Sequence, residues 1–158
     1  MSFSVLLVCT GNTCRSAMAE GILRSLIPEP RRGEILVESA GTAGLMGVPA
    51  TEFAQSVCLE HGVDIGSHLS SALTRALLGR SDLVLAMTHT HGEQIAAVDP
   101  ESAGRTFLLS EFADGSDVDV PDPIGAPIED YESVFEMMEG HLKKALPAVM
   151  KLAGEGER

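Results

Sequence analysis

SVLLVCTGNTCRSAMAE, residues 4–20, contains a strand, a loop and a helix in immediate succession. The apolar run Val5 to Val8 is short and bounded, which is the pattern of a buried strand. It ends on Cys9 and passes through a small polar loop. It then becomes an amphipathic run, with Met18, Ile22, Leu23 and Leu26 at helical spacing. A tight loop between strand and helix aims backbone N–H groups and the positive end of the helix at one point, where an anion can sit. Gly11 and Asn12 are residue types that readily take the left-handed conformations such a cradle uses.

Cys9 and Arg15 bracket five residues. A cysteine over inward-pointing amides and beside a guanidinium is favoured as the thiolate, the nucleophilic form. Arg15 can grip two oxygens of a tetrahedral oxyanion with a planar fork that lysine lacks. Ser16 can donate a hydroxyl to the thiolate. A buried structural cysteine would explain Cys9 alone, but not the glycine, asparagine and arginine around it. The stretch therefore predicts nucleophilic chemistry on a phosphoryl group, with Thr10, Gly11, Asn12, Thr13, Cys14 and Ser16 forming the cradle.

Composition narrows the setting. The 158 residues fit one domain, 1–158, with a sizeable core. A net charge of −12 argues against nucleic acid, which needs a basic footprint. No apolar stretch reaches membrane-spanning length, and the first residues lack the basic and cleavage regions of a signal peptide, so no membrane partner is expected. Three cysteines, two of them in one loop, do not make a disulfide framework and suit a cytoplasmic protein.

Strands are further expected at Ile35–Glu38, Leu83–Met87 and Thr106–Leu109. Helices are expected from Pro49 or Ala50 to His61, from Leu73 to Leu78, from Thr88 or Thr90 to about Val98, and from Glu129 to Leu152 with Pro147 as a kink. Residues Glu111 to Pro127 read as one long acidic loop. Strands alternating with helices give an α/β fold with a four-stranded parallel sheet and helices on both faces. Met46 and Val48 are candidates for the pocket rim, and Tyr131 for a wall. The stretch Asp82 to Met87 leads to His89 and His91, whose spacing hints at metal. Without further ligands beside them, they read as solvated residues at a helix start, and neither metal nor cofactor is expected.

A leaving group also needs a proton. Asp114, Asp117, Asp119 and Asp122 are all placed in the acidic loop to give one, and residue chemistry alone does not choose among them.

CTGNTCRS at residues 9–16, SAGT at 39–42, His68 within SHL, DLVLAM at 82–87 and DPIG at 122–125 together resemble the low-molecular-weight protein-tyrosine-phosphatase family, in the family's order and over nearly the whole chain. The resemblance implies strand order 2-1-3-4, Cys9 as nucleophile, Arg15 as oxyanion clamp and Asp122 as general acid and then base. It also implies that Ser39 and His68 join Asn12 and Ser16 as supports of the loop. Thr13 resembles the protein-arginine-phosphatase branch, whereas tyrosine-specific members usually carry a bulky aliphatic residue there. Ala17 stands where the family commonly has proline.

The implied partners are phosphorylated proteins, with inorganic phosphate, vanadate or sulfate able to occupy the loop. Protein phosphoarginine is the first choice of substrate and phosphotyrosine the second. An arsenate reductase would need relay cysteines, and Arg80 to Gly92 has none. A phosphoprotein-binding module would need the cradle but not Asp122. Cys14, five positions from Cys9, is a candidate redox partner that could trap oxidised Cys9 as a disulfide. Cys58 lies on an apolar helix face and is expected in the core.

Overall fold

The computed structural model describes residues 2–155. Four parallel strands, β1 (Phe3–Cys9), β2 (Ile35–Gly41), β3 (Leu83–Ala86) and β4 (Thr106–Leu108), form one sheet in the order β2-β1-β3-β4. Six α-helices cover it: α1 (Arg15–Leu26), α2 (Glu52–Glu60), α3 (Arg75–Gly79), α4 (His89–Val98), α5 (Leu109–Asp114) and α6 (Ile128–Glu155). None of the described helices is long and apolar enough to cross a membrane.

β1 is apolar without interruption because both of its faces are covered. Val5, Leu7 and Cys9 pack on one face with Met18, Ile22, Leu23, Val57, Phe135 and Met138, under α1, α2 and α6. Leu6 and Val8 pack on the other with Leu77, Leu78 and Ile95, under α3 and α4. The expected α/β class, strand order and two-sided helical cover are all present.

Differences from expectation lie at element ends. β2 continues through Ser39 and Ala40 to Gly41, whose Cα partner on β1 is Cys9. The expected Glu111–Pro127 loop begins later, because α5 occupies Leu109–Asp114 and stops at Gly115 in a left-handed conformation, φ 79°. Leu109 is accordingly a helix residue and not the end of a strand. α2 starts at Glu52, not at Pro49, because the Thr51 side chain caps Ala54 N while Pro49 pairs with Leu69 in an isolated bridge. α3 likewise starts beyond Leu73, behind a Thr74 cap. The α6 helix runs from Ile128 to Glu155 with Pro147 inside it.

β1 lies between β2 and β3, so the order of connections reverses beside it. In open α/β sheets this is the crevice in which ligands bind, and Cys9 ends β1 there.

Candidate active site

The cradle leaves β1 at Cys9 and enters α1 at Arg15. α2, α3 and α4 each begin with a threonine whose side chain accepts a backbone N–H of the first turn. α1 begins with no side-chain cap and no acidic residue in its first turn. Its first amides therefore remain available to an anion.

Asn12 holds the loop in shape. It is the one described non-glycine residue with positive φ, 59°. Of the two residue types suited to such a conformation, Asn12 adopts it and Gly11 does not. The strain at Asn12 is worth about 1–3 kcal/mol. Against it stand four hydrogen bonds, each contributing a net ~1 kcal/mol. Asn12 Nδ2 donates to Ser16 Oγ at 2.7 Å and to Ser39 Oγ at 2.9 Å. Its Oδ1 accepts from Ser71 N at 2.8 Å, and its backbone carbonyl accepts from His68 Nε2 at 2.7 Å. The bonds outweigh the strain. The structure thus brings Asn12, Ser16, Ser39 and His68 into one network.

Donor direction through this network can be read from Asn12. Because both serine oxygens accept from its amide, each hydroxyl proton is left for another group. Ser39 donates to Glu20 Oε1 at 2.7 Å. Ser16 donates to Cys9 Sγ at 2.9 Å, which also accepts Asn12 N at 3.3 Å.

Arg15 is 5 % exposed. Its Nη1 donates to the Val120 carbonyl at 3.0 Å, and its Nη2 lies 3.6 Å from Asp122 Oδ2 and 3.5 Å from Thr10 Oγ1. Among the described residues Nε has no partner, leaving part of the fork for an anion. Asp122 is half-exposed and its Oδ1 accepts Ile124 N at 3.1 Å. Of the four aspartates considered, only Asp122 reaches Arg15. Asp117 and Asp119 instead hold His89, and Asp114 meets Lys144.

The two histidines on α4 do not share a site. His89 is exposed, with Nδ1 2.7 Å from Asp119 Oδ1, and these carboxylates raise its pKa above the ordinary value. His91 corrects the sequence reading: it is buried, with Nε2 2.8 Å from Thr10 Oγ1 and Nδ1 3.0 Å from Thr88 Oγ1. A lone histidine in a polar helix start carries no signal of a partner 81 residues away.

Cys14 Sγ lies 3.4 Å from Thr51 Oγ1 and 3.6 Å from the Tyr131 hydroxyl. Tyr131 is buried, edge-on to Phe53 at 5.6 Å, so it backs the cradle and α2. Thr13 is half-buried, and its carbonyl accepts Thr51 N at 3.0 Å. Its hydroxyl has no hydrogen-bond partner among the described residues. Met46 and Val48 are exposed, and Cys58 is fully buried, its thiol pushed up to about 12 by burial and by Glu132. A groove of about 830 Å³ runs behind the loop, past Glu20, Arg24, Ser39 and His68, away from the Cys9 lip. Cys9, Arg15 and Asp122 do not line that groove.

Residues 4–154 match the family described as low molecular weight phosphotyrosine protein phosphatase. A protein-arginine-phosphatase of Bacillus subtilis is 37 % identical over 147 residues, covering 93 % of this chain and 97 % of the relative. The low molecular weight protein-tyrosine-phosphatase Etp of Escherichia coli is 37 % identical over 136 residues, covering 86 % of this chain and 87 % of the relative. A solved YwlE arginine phosphatase, a cysteine-to-serine mutant with a phosphorylated active-site serine, superposes with a TM-score of 0.84 at 35 % identity, over 99 % of this chain and 97 % of the other.

Proposed function

The chain belongs to the low-molecular-weight phosphotyrosine protein phosphatase family, and from that premise we propose that it hydrolyses phosphorylated protein side chains through a phosphocysteine intermediate, with phosphoarginine as its substrate. One observation carries the reading: a sulfur that accepts two hydrogen bonds sits at the mouth of an uncapped helix, beside a buried arginine that reaches Asp122.

In this mechanism Cys9 Sγ attacks phosphorus and forms the S–P bond. The bond from phosphorus to the leaving nitrogen breaks, and Asp122 gives that nitrogen its proton. Arg15 and the cradle amides hold the three equatorial oxygens, stabilising charge by position. Water then attacks phosphorus while Asp122 takes its proton. The S–P bond breaks, and the Cys9 thiolate and inorganic phosphate are released. Ser16 steadies that leaving thiolate. Phosphate, vanadate and sulfate fit the same cradle in this reading. Its setting is the cytoplasm, whose reducing conditions suit the three unpaired cysteines.

Phosphoarginine is supported by the unpartnered Thr13 hydroxyl and by the relative from Bacillus subtilis. A guanidinium leaving group can also pair with the half-exposed Asp122 carboxylate. Phosphotyrosine is the second reading, supported by the equally similar Etp.

The test is turnover of phosphoarginine and phosphotyrosine peptides at matched concentration by the parent, Cys9→Ser and Asp122→Asn. Cys9→Ser should abolish turnover while vanadate binding persists. Asp122→Asn should slow the poorer leaving group most. Near-parental activity in Cys9→Ser overturns the mechanism, and preference for phosphotyrosine overturns the choice of substrate.

A further inference from the structure

His91 is the buried titratable group that the mechanism above does not use. It is 3 % exposed, at the first turn of α4. Thr88 fixes it twice: Oγ1 accepts the His91 backbone N–H at 3.2 Å and lies 3.0 Å from the ring Nδ1. The capped helix start therefore sets both the backbone and the plane of the ring. The opposite ring nitrogen, Nε2, meets Thr10 Oγ1 at 2.8 Å. Thr10 directly follows the nucleophile, and its Oγ1 is also 3.5 Å from Arg15 Nη2.

From this geometry we propose that His91 is a positioning residue of the cradle: it holds Thr10, and through Thr10 the Arg15 fork, in the orientation that receives the phosphoryl oxygens. The inference rests on the phosphatase reading for its catalytic consequence, but its consequence for anion binding stands apart from turnover. A purely space-filling ring would need neither nitrogen, whereas here both are partnered. Hydrogen bonding at each end restricts the ring's rotation and ties the start of α4 to the cradle at Thr10.

Charge supports the role. Burial, and then the Arg15 cation, push His91 down to about 4, against the opposing pull of Asp119 and Asp122. The ring is therefore neutral near pH 7. Either neutral tautomer serves both threonines. With the proton on Nε2, the ring donates to Thr10 and accepts from Thr88. With the proton on Nδ1, those directions reverse. An imidazolium at the same place would compete with Arg15 for Asp122 and for the incoming anion.

The experiment compares the parent, His91→Phe, His91→Gln, Thr10→Val and the His91→Phe/Thr10→Val double variant. Phenylalanine keeps a ring and removes both nitrogens, glutamine restores a neutral polar end, and valine keeps the shape of threonine without its hydroxyl. The readouts are kcat and KM on an aryl phosphate, the inhibition constant for inorganic phosphate, and Tm. His91→Phe should weaken phosphate binding and lower kcat/KM by about 10-fold, the scale of one lost hydrogen bond to an ordered group. His91→Gln should recover most of that loss at a similar Tm. In the Thr10→Val background, His91→Phe should change phosphate binding less than 2-fold, because the link is already broken.

Parental phosphate binding in His91→Phe overturns the proposal, as do losses that multiply in the double variant. If His91→Phe fails to fold, Thr10→Val alone decides: unchanged phosphate binding there overturns it as well. A parent that binds phosphate but turns over neither an aryl phosphate nor phosphoarginine refutes the phosphatase reading and leaves the phosphate-binding comparison to decide the role of His91.

Discussion

Gly41→Ala should disable the site from the neighbouring strand. Gly41 is the last residue of β2 and pairs with Cys9, so the cradle lies directly over its Cα. A Cβ built there would lie 2.4 Å from the Thr10 carbonyl oxygen and 3.0 Å from both Asn12 N and Gly11 C. All three atoms are backbone, so no side chain can rotate away. Restoring ordinary contact with the oxygen, at 3.4 Å or beyond, requires a displacement of about 1 Å. The cradle or the end of β2 must move. Overpacking of this kind costs about 1–3 kcal/mol. A misplacement of about 1 Å in a site of positioned charge can cost ~100-fold in rate. The expected result is therefore a fall in kcat/KM of about 100-fold with weakened vanadate binding, and a folded protein of lower Tm. Gly104→Ala, where a Cβ would meet nothing within 4 Å, is the control and should leave kcat/KM unchanged. If Gly41→Ala keeps kcat/KM within 2-fold of the parent, the cradle does not depend on close backbone approach.

Other perturbations reach different parts of the site. Thr13→Ile replaces an unpartnered hydroxyl with a larger aliphatic group and should lower kcat/KM for phosphoarginine while preserving it for phosphotyrosine. A parallel drop on both peptides would remove Thr13 from substrate selection. Mild peroxide should yield a Cys9–Cys14 crosslink that thiol reverses. In Cys14→Ala the same dose should leave Cys9 irreversibly oxidised, and full recovery with reductant would refute a protective role. His89 has its pKa raised from 6.5 by Asp119 and then Asp117. A raised histidine contributes stability that is fully present below its unfolded value and is lost as pH rises through the folded one. The Tm advantage of the parent over His89→Gln should therefore be largest below pH 6.5 and fade on going alkaline. A gap independent of pH would sink this account.

What the sequence makes legible is governed by how local the cause is. Cys9, Arg15 and the strand-loop-helix around them are read directly because spacing along one short segment dictates them. Asp122 needs the resemblance, since four aspartates fall in one acidic stretch and only the fold shows which one approaches Arg15. α5 is missed because Leu108 and Leu109 extend an apolar run and no Ser, Thr, Asp or Asn at the cap marks a helix start. His91 and Gly41 are missed for another reason. Each acts on Thr10 through a tertiary contact, and neither a polar helix start nor a glycine at a strand end indicates what will lie across from it.

The Asn12 network also divides the site by timescale. Amides around the cradle are engaged across distant parts of the chain: Gly41 N bonds to Ser71 O, Thr42 N to Cys9 O, and Ser71 N to Asn12 Oδ1. Releasing them parts β2 from the 68–71 segment, the end of β2 from β1, or the 68–71 segment from the cradle, so their hydrogen exchange is tied to opening of the sheet end. Asp122 sits on a different kind of backbone. Ile124 N and Ala126 N bond only within their own turn, to Asp122 Oδ1 and the Pro123 carbonyl. Those protons can exchange through local fluctuations that never disturb the core. In the proposed mechanism the anion seat is thus the part held by distant segments, and Asp122, held only within its own turn, is the part free to adjust to the leaving group.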